Sequence, residues 1–260
     1  MNTIQNPIVP GDWSDPAVIR VSDDFYSLRS TFGWQPGLQI IHSKDLTHWE
    51  YIGYAYPSHA SLTPGDTNGG CWGSELGYDP ASKSFLAYAT ITSAGIQAFR
   101  SDLPGGPYDG PYPLEVPGID PGFFADDDGR LYLVASRGEI WELTAGGLSV
   151  KRLVCNVGAG QDVGFEGPQI VKRDGWYYCI YSAGGTLPHE FSSINCARSR
   201  SLEGLWEVDP GNPLMQANDD SDAVLQGPAH GMLVDTAAGE WFLTYHAFEL
   251  SHYSLGRQMC

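Results

Sequence analysis

Apolar residues in this chain come in short runs, and one order of events recurs five times. An acid or aromatic is followed by a small residue or proline, an apolar run, a polar turn, and then an aromatic-rich run. The first copy is Asp15-Pro16-Ala17-Val18-Ile19, a turn at Ser22-Asp23-Asp24, and Phe25-Tyr26-Ser27-Leu28. The second runs from Trp72-Gly73-Ser74-Glu75-Leu76 through Asp79-Pro80 to Phe85-Leu86-Ala87-Tyr88. The third joins Asp120-Pro121-Gly122-Phe123-Phe124 to Leu131-Tyr132-Leu133-Val134 across Asp127-Asp128-Gly129. The fourth joins Glu166-Gly167-Pro168-Gln169-Ile170 to Trp176-Tyr177-Tyr178-Cys179 across Arg173-Asp174-Gly175. The fifth passes from His230-Gly231-Met232-Leu233-Val234 through Ala237-Ala238-Gly239 to Trp241-Phe242-Leu243-Thr244-Tyr245. Asp-Gly between aromatic or β-branched runs is a strong hairpin signal, and it falls at the same place in two copies.

The copies start at 15, 72, 120, 166 and 230, at intervals of 57, 48, 46 and 64 residues, which is the spacing of propeller blades. Third strands are predicted at 37–42, 95–99 and 193–197, and fourth strands at 49–53 and 148–153. The expectation is an all-β, five-bladed β-propeller filling residues 1–260 as a single domain; the alternative is a sandwich of unrelated hairpins. The last blade reads as short, with a third strand at 253–259. Ring closure then calls for residues 2–9 to pair with blade five, or for a C-terminal continuation.

Composition narrows the class. Glycine (32 residues) and aromatics (12%) are abundant while charged residues are sparse (17%), which suits short strands and tight turns over solvated helices. A net charge of −17 argues against nucleic acid and anionic membranes as partners and leaves a neutral sugar open. No run approaches transmembrane length. Cys71, Cys155, Cys179, Cys196 and Cys260 are odd in number and never spaced C-x-x-C, so reduced thiols are expected. The first residues lack a basic region and an apolar core. The cytoplasm is therefore the default location, with secretion open if a leader has been removed.

In a propeller the first strand of each blade lines the central channel, so equivalent first residues form a ring at one mouth. Here that ring is predicted to hold Asp15, Trp72, Asp120, Glu166 and His230. Each is unremarkable alone: Asp-Pro is common at strand starts, and a single histidine usually has a structural role. Three carboxylates at one mouth are different, because unpaired buried charge is costly and persists where function demands it. Paired carboxylates across a gap are what hydrolysis of a glycosidic bond requires.

The motifs together resemble glycoside hydrolase family 43, the five-bladed propeller arabinofuranosidases, xylosidases and arabinanases. They are S-D-P-A-V at 14–18, H-S-K-D-L-T-H-W at 42–49, I-D-P-G-F-F-A-D-D-D-G at 119–129, F-E-G-P-Q-I at 165–170, A-R-S-R-S-L-E-G at 197–204 and G-P-A-H-G at 227–231. Y-H-A-F at 245–248 and L-G-R-Q at 255–258 resemble its bacterial arabinofuranosidase and xylosidase branch. The resemblance implies Asp15 as general base, Glu166 as general acid, and Asp120 as a third acid that orients Glu166 and holds its pKa up. It implies inversion of configuration, with the two principal carboxyls roughly 6.5–9.5 Å apart. It also implies a calcium ion in the channel facing His230, held largely by water, with a water-filled channel as the alternative. Arg257 matches a residue that contacts sugar hydroxyls, and Trp72 matches a tryptophan that walls the site, although the usual W-A-P-E reads W-G-S-E here. From its Gly-flanked loop, Trp34 is expected either to stack on a sugar or to pack under a neighbouring loop.

The implied activity is exo-acting release of terminal α-L-arabinofuranose, β-D-xylose or both from hemicellulose-derived oligosaccharides. Rival readings are an endo-acting arabinanase of the same family, a sugar-binding propeller without activity, and a retaining fructan-cleaving propeller. The last typically carries N-D-P-N-G, R-D-P and E-C, and none of these occurs at the matching positions.

Overall fold

A computed structural model describes residues 4–56, 69–158, 164–185, 187–188, 190–217 and 222–260. It is a five-bladed β-propeller of antiparallel sheets. Blade one comprises Ala17–Val21, Asp24–Leu28, Gly37–Ser43 and Trp49–Tyr56; blade two comprises Cys71–Asp79, Ser84–Ile91, Gly95–Ser101 and Asp109–Pro113. Blade three is built from Gly122–Ala125, Leu131–Val134, Glu139–Leu143 and Val150–Asn156. Blade four is Glu166–Arg173, Trp176–Gly184, Ser192–Ser199 and Glu207–Val208, with Met215–Gln216 also on its third strand. Blade five is Leu225–Asp235, Trp241–Glu249 and Arg257–Met259.

The apolar runs follow from stacking. Each sheet is sandwiched between two others, so alternate residues of a strand enter two different cores. In Ser84–Ile91, Phe85, Ala87, Ala89 and Ile91 join the core shared with blade one, while Leu86 and Tyr88 join the core shared with blade three. The same alternation sends Leu131 and Leu133 one way and Tyr132 and Val134 the other. Outer strands lack this double burial. Asp109–Pro113 is exposed at every position, so it carries no hydrophobic pattern, and its prolines are tolerated at an edge.

The N-terminal segment flanks the last strand. Ile8 and Val9 donate their N–H groups to the Met259 carbonyl at 2.9 and 3.2 Å, and Trp13 N–H donates to the Arg257 carbonyl at 2.8 Å. Trp13, Val18, Phe25, Ile41, Val234 and Met259 pack together between blades five and one. The strand predicted over 253–259 is shorter: Tyr253–Leu255 forms a 3-10 turn and Gly256, at φ +79°, breaks the backbone before Arg257–Met259.

Each first strand has a left-handed kink within it or just ahead of it, at Asp15 (φ +52°), Gly73 (+56°), Asp120 (+52°), Gly167 (+51°) and His230 (+51°). This corrects the predicted ring, because Trp72 and Glu166 each sit one residue before the kink. Space sets the choice of residue. A Cβ at Gly73 would lie 2.1 Å from Asp120 Oδ1, and one at Gly167 would lie 2.7 Å from His230 Nδ1. The mouth therefore takes three kink side chains and leaves two positions to glycine. Three kinks are held by the second strand of the preceding blade: Asp120 N–H donates to Thr90 Oγ1 (3.2 Å), His230 N–H to Ser182 Oγ (2.6 Å) and Asp15 N–H to His246 Nδ1 (3.1 Å).

Third strands also share a terminator. Ser43, Ser101 and Ser199 each accept the N–H two residues on, from Asp45, Leu103 and Ser201. All five cysteines are free, and burial pushes the Cys196 thiol up to about 11. Among the described residues no helix is long and apolar enough to cross a membrane.

Met259 is fully buried where the first and last segments of the chain meet. Met259→Ala is expected to lower the unfolding free energy by about 2–5 kcal/mol, measured by denaturant titration.

Candidate active site

The kinked ends open into a cavity of about 420 Å³ whose walls include Asp15, Asp120, Glu166, His230, His246 and Arg257, with Phe32, Trp72 and Phe248 as aromatic surface. Three acids remote in sequence thus share one pit. Trp72 is pinned by its indole N–H, which donates to Thr92 Oγ1 at 3.2 Å. Ser74, where the family pattern has proline, donates its hydroxyl to the Asp15 carbonyl at 3.2 Å and so ties blade two to the base of the site.

Asp15 is 7% exposed. Its Oδ2 accepts the Ser30 hydroxyl at 2.6 Å, and its Oδ1 accepts Arg257 Nη1–H at 3.3 Å. The same Oδ1 lies 3.2 Å from His246 Nδ1 and 3.7 Å from His230 Nδ1. Burial works to raise the Asp15 pKa, but Arg257, the His246 contact and His230 outweigh it and hold the carboxyl well below the ordinary carboxylate range. Both histidines are pulled the other way: burial lowers His230 to about 4 and lowers His246, with Asp15 opposing in each case.

The other two acids respond oppositely. Asp120, also 7% exposed, is pushed up to about 8 by burial and then by the charges of Asp15 and Glu166. Half-buried Glu166 is raised by burial first and by Asp15 second, with Arg257 opposing. As anions, Asp120 and Glu166 repel each other, so the pair retains a proton at neutral pH. Asp120 Oδ2 also accepts Gly167 N–H at 3.1 Å, fixing the backbone immediately after Glu166. One ionised carboxylate faces two that favour protonation. That is the division general acid–base chemistry needs.

Trp34 is not part of this wall. It is 57% exposed, and the residue of its loop that reaches the cavity is Phe32, whose ring lies 5.3 Å from the Arg257 guanidinium carbon. His246 lies on a second strand and Ser30 two residues beyond one, both outside the first-strand pattern, so the repeat does not point to them. The signal for His246 is its place in Tyr245-His246-Ala247-Phe248, two of whose members line the pit. The H-S-K-D-L-T-H-W stretch is structural: Asp45 Oδ1 accepts the N–H groups of Thr47 and His48 at 2.8 Å, shaping the turn into the fourth strand.

Calcium prefers six to eight oxygen ligands. His230 offers a nitrogen, and among the described residues no group of three or more His, Cys, Asp or Glu is placed to hold a metal. The side chains of the pit do not by themselves build a calcium shell.

The profile of the glycosyl hydrolases family 43 matches residues 4–260. A xylan 1,3-beta-xylosidase from Vibrio sp. is 33% identical over 94% of this chain and 49% of its own length. A non-reducing end alpha-L-arabinofuranosidase from Bacteroides ovatus is 29% identical over 92% of this chain and 47% of its own. The crystal structure of the family protein BlXynB from Bacillus licheniformis superposes with a TM-score of 0.89 at 32% identity, covering all of this chain (100%) and 54% of that one. The chain spans about half the length of the curated relatives it matches.

Asp120 carries a stability cost with a defined pH window. Its folded pKa of about 8 lies above the ordinary 3.8, so the folded state binds the extra proton and stability falls as pH rises between those values. Asp120→Asn keeps an oxygen that can accept Gly167 N–H and removes the charge. It is expected to raise the thermal midpoint by a few degrees at pH 8, with the gain shrinking towards pH 4, as read by calorimetry.

Proposed function

Since the chain belongs to the glycosyl hydrolases family 43, we propose that it is an inverting, exo-acting glycosidase that releases terminal β-D-xylose, α-L-arabinofuranose or both. The observation that carries this reading is the opposed bias of carboxyls in one pit: Asp15 held ionised, Glu166 and Asp120 held towards protonation.

Asp15, ionised, takes a proton from the water that attacks the anomeric carbon. Glu166, protonated, gives its proton to the departing glycosidic oxygen. Asp120 positions Glu166 through Gly167 N–H, and because the two repel as anions, the pair favours keeping a proton. Arg257 holds Asp15 ionised and is placed to meet sugar hydroxyls from the same wall. Trp72, Phe32 and Phe248 offer flat apolar surface to the C–H faces of a five-carbon sugar. Relatives named for xylosidase and arabinofuranosidase activity support the sugar class.

Two experiments test these roles. Glu166→Ala is expected to lose about 10²–10⁴-fold in kcat on natural linkages but much less on 4-nitrophenyl glycosides, whose leaving group needs little protonation; Asp15→Ala loses both. Comparable loss on both substrate classes after Glu166→Ala overturns the assignment. The kcat/KM profile should fall on the acid side as Asp15 protonates and on the alkaline side as Glu166 ionises. Arg257→Met is expected to move the acid limb upward, because it removes the largest charge that holds Asp15 ionised.

A further inference from the structure

We infer that Ser30 is a positioning residue that binds one oxygen of the Asp15 carboxylate and leaves the other, Oδ1, as the basic atom. This rests on the proposed role of Asp15 and adds which atom of it works.

Ser30 is fully buried, and its hydroxyl donates to Asp15 Oδ2 at 2.6 Å. The contacts to Oδ1 are longer, at 3.3 Å from Arg257, 3.2 Å from His246 and 3.7 Å from His230. Those three residues line the cavity and Ser30 does not. Oδ1 is therefore the cavity-side oxygen and Oδ2 the protein-side one. A hydroxyl has a single proton to donate, and here it is spent on Oδ2.

The hydroxyl is also held still. Three successive N–H groups around it bind three different parts of the fold: Arg29 to the Gln39 carbonyl (3.2 Å), Ser30 to the Ser14 carbonyl (3.0 Å) and Thr31 to the Cys71 carbonyl (3.1 Å). Ser14 immediately precedes Asp15, so the backbone of Ser30 and its side chain grip the two ends of the same kink. Asp15 sits at φ +52°, a conformation that is sparsely populated for a non-glycine residue and persists only when its surroundings over-determine it. A donor on such a frame fixes the carboxylate plane, and with it the direction from which water can be deprotonated.

The test compares Ser30→Ala, Ser30→Cys and Asp15→Asn with the parent enzyme on 4-nitrophenyl β-D-xylopyranoside and α-L-arabinofuranoside, with KM, kcat and pH profiles for each. Cys keeps the volume with a weak S–H donor, and Ala removes the donor. Expected for Ser30→Ala is a kcat about ten- to a hundredfold lower, a KM within about twofold, and an acid limb raised by up to about one pH unit, since a hydrogen bond to the charged form favours it. Ser30→Cys should fall between the two and serves as the assay if the alanine protein folds poorly. A role in packing alone predicts cysteine activity equal to the parent with an unmoved acid limb, and that result overturns the inference. Wild-type activity in Asp15→Asn would instead overturn the assignment of Asp15 itself.

Discussion

A single steric constraint organises the molecule: five first-strand segments kink left-handed around one pit, and the space between them admits only some side chains. Gly73 and Gly167 stand where a Cβ would strike Asp120 and His230. Those absences let two ionisable groups project into the ring with Asp15. Glu166 escapes the crowd by standing one residue before its kink, half-buried and on the wall of the pit. The geometry that lets the ring close is thus the geometry that gathers the acids.

Gathering acids creates an electrostatic problem that the neighbours resolve unevenly. Arg257 leads the contacts that hold Asp15 ionised, with His246 and His230 adding to it, so burial fails to protonate it. Arg257 opposes only as the smallest influence on Asp120, and burial beside two other carboxyls prevails. Protons therefore collect on the Asp120–Glu166 side. The asymmetry costs stability at neutral pH, which is the usual signature of a site held for chemistry.

Much of this was legible in the chain. Double burial of the inner strands made their apolar runs visible, and the Asp-Gly turns marked where hairpins reverse. Asp15, Asp120, Glu166, His230, Arg257 and Trp72 were identifiable because the copies align and the motifs are specific, and all six line one cavity. The register of the ring was not legible, because nothing local distinguishes Trp72 from Gly73 as the kinked residue until Asp120 is seen against it. His246 acts from a second strand and Ser30 from just beyond one, where a polar residue beside an apolar run reads as ordinary. Trp34 stands out in the sequence as a loop aromatic, but it is Phe32 of the same loop that lines the cavity. Outer strands such as Asp109–Pro113 leave no pattern in the sequence, because exposure erases alternation.

In the proposed reaction Asp15 and Glu166 act from opposite sides of the scissile bond, with a water between Asp15 and the sugar. Proton NMR of the first product released from an aryl β-D-xylopyranoside tests it most directly. Inversion yields α-xylose as the anomer that appears first, followed by mutarotation. β-Xylose appearing first would mean a covalent intermediate, and Asp15 could not be the base described.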